Sequence, residues 1–185
     1  MKQYKICISG GAEGKSAQKA YGLARQVGEA IAKRGHVLIT GATSGVPFEA
    51  AKAAKKAGGS NIGFSPAGTE IEHAKKYRLP MDPKIFDHII YTEAGYAGRN
   101  LLMVRSADAT IMIDGRMGTF NEFTDVFEEN KIIGVLEGSG GTADLVRTTI
   151  KVADKGVRKV ILETDPVRLV EKVIERIKKE KDGQK

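Results

Sequence analysis

Short apolar runs alternate along this chain with stretches in which apolar residues recur every three or four positions. Residues 4–8 form one such run, ending in Ser9-Gly10-Gly11, the mark of a strand passing into a loop. From Ser16 the period changes. Ala20, Leu23, Ala24, Val27 and Ile31 recur at helical spacing with Lys and Arg opposite them, and Gly35 stops that helix. Residues 37–39 predict a second strand, followed by Gly41-Ala42-Thr43-Ser44-Gly45 and an alanine-rich helix from about Pro47 to Gly58-Gly59. Residues 61–64 predict a third strand. A polar stretch then runs from Ser65 to Asp87, weakly patterned and punctuated by Pro66, Pro80 and Pro83, as functional lids often are.

Strands are predicted again at 88–91 and 109–113, with a helix around 100–106 between them, and at 132–136 and 159–162, with a helix over 142–155 between those. Asp165-Pro166 supplies a cap and a first-turn proline to the last helix, whose buried stripe is Val170, Val173, Ile174 and Ile177. This alternation predicts an α/β fold: a doubly wound, mostly parallel sheet of about seven strands with helices on both faces. Ligands of such sheets bind outside the carboxyl ends of the strands. Here Gly-rich segments follow the first, second, fifth and sixth strands. Residues 1–180 are expected to form one domain and 181–185 a frayed tail.

With 185 residues and 41% hydrophobic content, the chain has the size and composition of a single buried core. Its one cysteine, Cys7, excludes an intramolecular disulfide framework, and no uncharged run approaches a membrane span. A cytoplasmic protein is expected. The net charge of +7 is spread along the chain and mixed with acids, as a solvated surface is, so nucleic acid is not the expected partner. Three histidines and one cysteine show no metal-ligand spacing; neither a metal nor a cofactor is expected. Gly14-Lys15-Ser16 suggests a P-loop, but that motif needs Gly where Ser9 stands.

The segment from Asp114 to Glu122 carries the strongest chemical signal. It leaves a buried strand and opens a helix, so Gly115 and Gly118 would let backbone amides approach an anion. Thr119-Phe120-Asn121-Glu122 also reads as a capping box that needs no ligand, and both readings stand. Gly98-Arg99-Asn100, near a predicted helix start, offers a guanidinium fork to phosphate or carboxylate, or else a surface arginine. Gly138-Ser139-Gly140-Gly141 is either a second anion contact or a tight connection. Glu70, Glu72, His73 and Tyr77 either line an entrance or form a solvated loop.

Taken in order, these segments resemble the Lonely-Guy (LOG) family and its Rossmann-like superfamily over about residues 4–150. The family pattern is a strand-GS loop, a strand-GG-x-x-G loop, an R-K or R-N element, and PGG-x-GT-x-x-E. Its counterparts are Ser9-Gly10-Gly11, Gly41-Ala42-Thr43-Ser44-Gly45, Arg99-Asn100, and Gly115-Arg116-Met117-Gly118-Thr119 with Glu122. The resemblance implies a phosphoribohydrolase that splits a purine nucleoside 5′-monophosphate into base and ribose 5-phosphate. It further implies Arg99 and Glu122 as the catalytic pair. Ser9, Gly10, Gly11, Gly41, Thr43, Ser44, Gly45, Asn100, Gly115, Arg116, Met117, Gly118 and Thr119 would then hold the nucleotide and its phosphate, and a homodimer is expected.

Asp114 stands where the family has Pro and Arg116 where it has its second Gly. Asn100 replaces the Lys of cytokinin-activating members. These departures resemble a prokaryotic branch related to molybdenum-cofactor carriers, so a non-catalytic nucleotide or molybdenum-cofactor binder is the alternative. Lysine decarboxylation, a label such proteins have borne, has no pyridoxal-lysine context here.

Overall fold

A computed structural model describes all residues except 1, 81, 83, 155, 158, 184 and 185. Seven strands, β1 (Lys5–Gly10), β2 (Val37–Thr40), β3 (Ser60–Ser65), β4 (His88–Tyr91), β5 (Ala109–Ile113), β6 (Ile132–Leu136) and β7 (Val160–Glu163), form one sheet in the order β4-β3-β2-β1-β5-β6-β7. Every pairing is parallel. The chain winds outward from β1 to β4, returns to lay β5 beside β1, and winds outward the other way. The switch point therefore lies between β1 and β5, and a crevice opens at their carboxyl ends.

The helices are α1 (Lys15–Lys33), α2 (Val46–Lys56), α3 (Glu70–Lys75), α4 (Gly95–Ser106), α5 (Met117–Glu128), α6 (Val146–Ala153) and α7 (Pro166–Asp182). Alternate residues of each central strand point to opposite layers. Ile6, Ile8, Ile111 and Ile113 join α1, α2 and α7 in one core cluster. Met112, Ile133 and Val135 pack with α5 and α6, and Cys7 and Ile39 pack with Met103 of α4. Strands buried on both faces explain why the central runs read as continuously apolar.

The structure departs from the expected pattern in four places. The stretch 65–87 contains α3, six residues capped by the Thr69 hydroxyl, too short to show a period. The helix expected over 142–155 is a 3-10 turn, Gly141–Leu145, followed by α6, and its expected end at 155 lies outside the described residues. α4 begins five residues before 100, so Arg99 and Asn100 sit in its second turn rather than at its start. Of the expected tail, 181 and 182 belong to α7, while 184 and 185 lie outside the described residues. No helix among the described residues is long and apolar enough to cross a membrane.

Candidate functional site

The crevice at the switch point holds a cavity of about 630 Å³. Its floor comes from the end of β1 and the loop after it (Gly10, Gly11, Ala12, Glu13) and from the loop after β2 (Gly41, Thr43, Ser44). One wall is α4 with Tyr96, Arg99 and Asn100, and another is the first two turns of α5 with Met117, Gly118, Thr119 and Glu122.

α5 starts at Met117, with Arg116 in the cap position and no side chain capping the first turn. The first amides of a helix lack intrahelical acceptors and carry the positive end of its dipole. Thr119 and Glu122 lie inside the helix, so the capping box does not form. By contrast α3 and α7, away from the crevice, are capped by Thr69 and Asp165. α2 also points at the crevice, but its Val46 amide is taken by the Gly11 carbonyl and Pro47 has none. A Cβ added at Gly118 would meet no atom within 4 Å, so the turn of α5 stands open to the cavity.

What shapes that turn is the loop after β6. The Asp114 amide donates to Ser139 Oγ at 2.7 Å, while Ala143 and Thr142 amides donate to the Asp114 and Gly115 carbonyls at 3.0 Å. Gly141 approaches Gly115 so closely that a side chain there would strike its carbonyl. The glycines at 138–141 thus make a tight connection that braces the α5 turn. Asp114, with φ of 54°, tolerates the left-handed conformation as short polar residues do. Its buried carboxylate accepts from the Ser16 hydroxyl in the first turn of α1 and fills the space beside Gly11, tying the start of α1 to the loop after β5.

Arg99 is 3% exposed and Glu122 8%. In α4 the buried residues are Arg99, Asn100, Met103 and Val104, so the two polar residues continue the apolar stripe toward the crevice. Leu102, an apolar residue of the same helix, is exposed. Arg99 Nη1 donates to the Phe64 carbonyl at 3.3 Å, while Arg99 Nε and Asn100 Oδ1 have no partner among the described residues. Gly41 makes room for this arginine: a Cβ there would occupy the guanidinium's place. Glu122 Oε2 accepts from the Ser9 hydroxyl. Burial pushes the Glu122 carboxyl above the usual carboxylate range, opposed by the Arg99 charge and the Ser9 hydrogen bond. Behind it, burial and the Glu122 charge push the Cys7 thiol up, which leaves it a core residue.

Residues 3–170 match the family described as SLOG cluster4. The chain belongs to the SLOG cluster4 family. An uncharacterized protein of Archaeoglobus fulgidus is 36% identical to this SLOG cluster4 chain over 137 residues, 74% of this chain and 82% of that one. The molybdenum cofactor binding protein of Rippkaea orientalis superposes with a TM-score of 0.72 at 26% identity, covering 96% of this chain and 98% of its own. The Moco carrier protein of Chlamydomonas reinhardtii does so with a TM-score of 0.75 at 22% identity, covering 95% and 99%. The fold is thus the Rossmann-like α/β fold of those proteins.

Of the residues singled out from sequence, Gly10, Gly11, Gly41, Thr43, Ser44, Arg99, Asn100, Arg116, Met117, Gly118, Thr119 and Glu122 meet around the SLOG cluster4 cavity. Ser9, Gly45 and Gly115 do not line it. Ser9 stands behind Glu122 as its hydrogen-bond donor. Gly45, with φ of 74°, packs on the Gly11 and Ala12 carbonyls, and Gly115, with φ of 115°, packs under Thr119. Arg116 does not close the turn, because its guanidinium pairs with Glu13 at 2.9 Å along the rim.

In the entrance group, Tyr77 lines the cavity. His73 is instead fully buried, bonded to Ser65 Oγ at 2.8 Å and the Pro80 carbonyl at 3.3 Å, and burial lowers its pKa. Glu72 pairs with Lys76 on the outside. Sequence reasoning missed Tyr96, Arg78 and Leu79 as lining residues. Nothing in their spacing marks them: Arg78 and Leu79 reach the crevice through the path of the segment between β3 and β4, and Tyr96 reaches it from the first turn of α4.

Proposed function

We propose that this crevice binds a nucleoside 5′-monophosphate and hydrolyses its N-glycosidic bond to free base and ribose 5-phosphate. The observation that carries the reading is Glu122, a buried carboxyl held by Ser9 and facing the same cavity as the uncapped start of α5 and the buried Arg99. The phosphate lies against the amides of Met117, Gly118 and Thr119, where the helix dipole favours negative charge. Arg99, with Nε lacking an acceptor, turns its free donor to the sugar-phosphate and orients it.

Breaking the C1′–N bond sends its electron pair to the base and leaves oxocarbenium character on the ribose, which ionised Glu122 stabilises. A water adds to C1′ and gives up one proton to Glu122, the departing base nitrogen takes up one proton from solvent, and Glu122 then releases its proton to solvent, so that in sum one water is added across the bond. Water is consumed and neither oxidant nor metal is required. Incubating the protein with AMP and other nucleoside monophosphates and assaying free base tests this reading. Glu122→Gln is expected to lower kcat about 10²–10⁴-fold while AMP still binds. Absence of base release from every monophosphate, with binding intact, rejects the hydrolase.

That outcome would favour a second reading, a carrier or sensor without turnover. It is supported by the likeness, along nearly the whole of both chains, to a structure described as a molybdenum cofactor binding protein. The carrier reading expects the phosphorylated ligand to copurify and Glu122→Gln to leave its affinity unchanged.

A further inference from the structure

We infer that the Tyr96 ring, buttressed by Tyr77, forms a shelf on which a flat heteroaromatic ring of the ligand stacks, so that the crevice selects a nucleotide over a bare sugar phosphate. The inference rests on the phosphate-binding reading above and names the residues that would hold the base, which that reading leaves unassigned. Both tyrosines line the same cavity as Arg99 and Gly118. They reach it from opposite sides of β4, Tyr77 from the segment after α3 and Tyr96 from the first turn of α4. Their rings meet edge to face, with centroids 5.3 Å apart and planes at 86°.

Tyr96 remains 51% exposed although it carries one of the largest apolar faces in the chain. That ring lines the cavity and is half uncovered, so it is accessible to a ligand seated there. The shelf is also held in place. The Arg99 guanidinium lies 5.9 Å from the Tyr96 centroid, and Tyr77 abuts the ring from its other partner segment. The segment bearing Tyr77 is fastened by buried His73, whose ring bonds to Ser65 and the Pro80 carbonyl and whose own carbonyl accepts the Leu79 amide at 3.1 Å. A platform that does not reorganise on binding keeps the full stacking energy.

Purines suit such a surface, being flat and polarisable, and stack on the face of a phenol with their rings offset. Loss of one stacking partner weakens a base contact about 5- to 150-fold.

The test uses the full chain carrying Glu122→Gln, so that AMP is not consumed, with calorimetric titration of AMP and of ribose 5-phosphate. Tyr96→Leu is expected to weaken AMP about 5- to 150-fold and to leave ribose 5-phosphate within about twofold, whereas Tyr96→Phe keeps AMP binding because the ring face survives. Unchanged AMP affinity in Tyr96→Leu overturns the shelf. So does an equal loss of both ligands. An equal loss with a change of mass by light scattering would assign the rings to an interface between two copies of the chain. Should the parent protein bind neither compound, the phosphate-binding reading falls first and the shelf with it.

Discussion

Glu122 is the residue on which most of the proposed chemistry turns, and its neighbours pull its acidity in opposite directions. Burial favours the protonated form and prevails, while the Arg99 charge and the Ser9 hydroxyl favour the carboxylate. Because the folded-state value is raised, this group's contribution to stability is fully present below the ordinary glutamate range near 4.3 and is lost as pH rises through the raised value. Glutamine mimics the protonated form at every pH. Glu122→Gln is therefore expected to raise the melting temperature above that of the parent at pH 8 and to change it little at pH 4, as differential scanning calorimetry would show. A parent and variant that differ equally at both pH values would contradict the assignment. Glu122 was legible in the sequence through its motif, but its hydrogen bond to Ser9 was not, because 113 positions separate the two.

At the scale of the element, two helices present the site, and each is held by contacts outside it. α5 leaves its first turn uncapped and owes its position to the braced Gly115 turn. α4, which carries Arg99 and Asn100, is gripped at its other end by Lys131. That ammonium donates to the Val104 carbonyl at 2.9 Å and the Arg105 carbonyl at 2.7 Å, and also to that of Ala107. A cation at the negative end of a helix dipole, partly shielded from water, stabilises it appreciably. Lys131→Met keeps the aliphatic stem and removes the charge. The variant is expected to lose about 1–2 kcal/mol in urea denaturation with the m-value unchanged. An unchanged midpoint would mean that the ammonium's burial offsets its three hydrogen bonds. The helices themselves could be read from apolar spacing. The start of α4 could not, since Gly95, Tyr96 and Gly98 give no apolar stripe before Arg99.

For the whole molecule, the reversal of strand order between β1 and β5 decides where a ligand sits and which loops meet it. A ligand that binds only the folded state stabilises it by mass action, about 2.7 kcal/mol at a hundredfold excess over Kd. For a domain of this size that is a rise of about 5–10 °C in melting temperature. AMP is expected to produce such a rise in scanning fluorimetry and adenosine, lacking the phosphate, much less. Equal shifts for the two would remove the anion from the account of the crevice.

Alternating apolar runs and helical stripes determined the number of strands, their parallel arrangement and the end of the sheet at which the Gly-rich loops gather, because these follow from local periodicity and from the length of crossover a parallel pair needs. The tertiary structure alone decided that Asp114 faces Ser16, that Ser9 supports Glu122, that Arg116 leans to Glu13 and leaves Gly118 open, and that Tyr77 and Tyr96 share one wall. Those relations join residues far apart in the chain. Only the assembly of the sheet with its helix layers, which buries both faces and sets the loops side by side, brings their side chains within reach of one another.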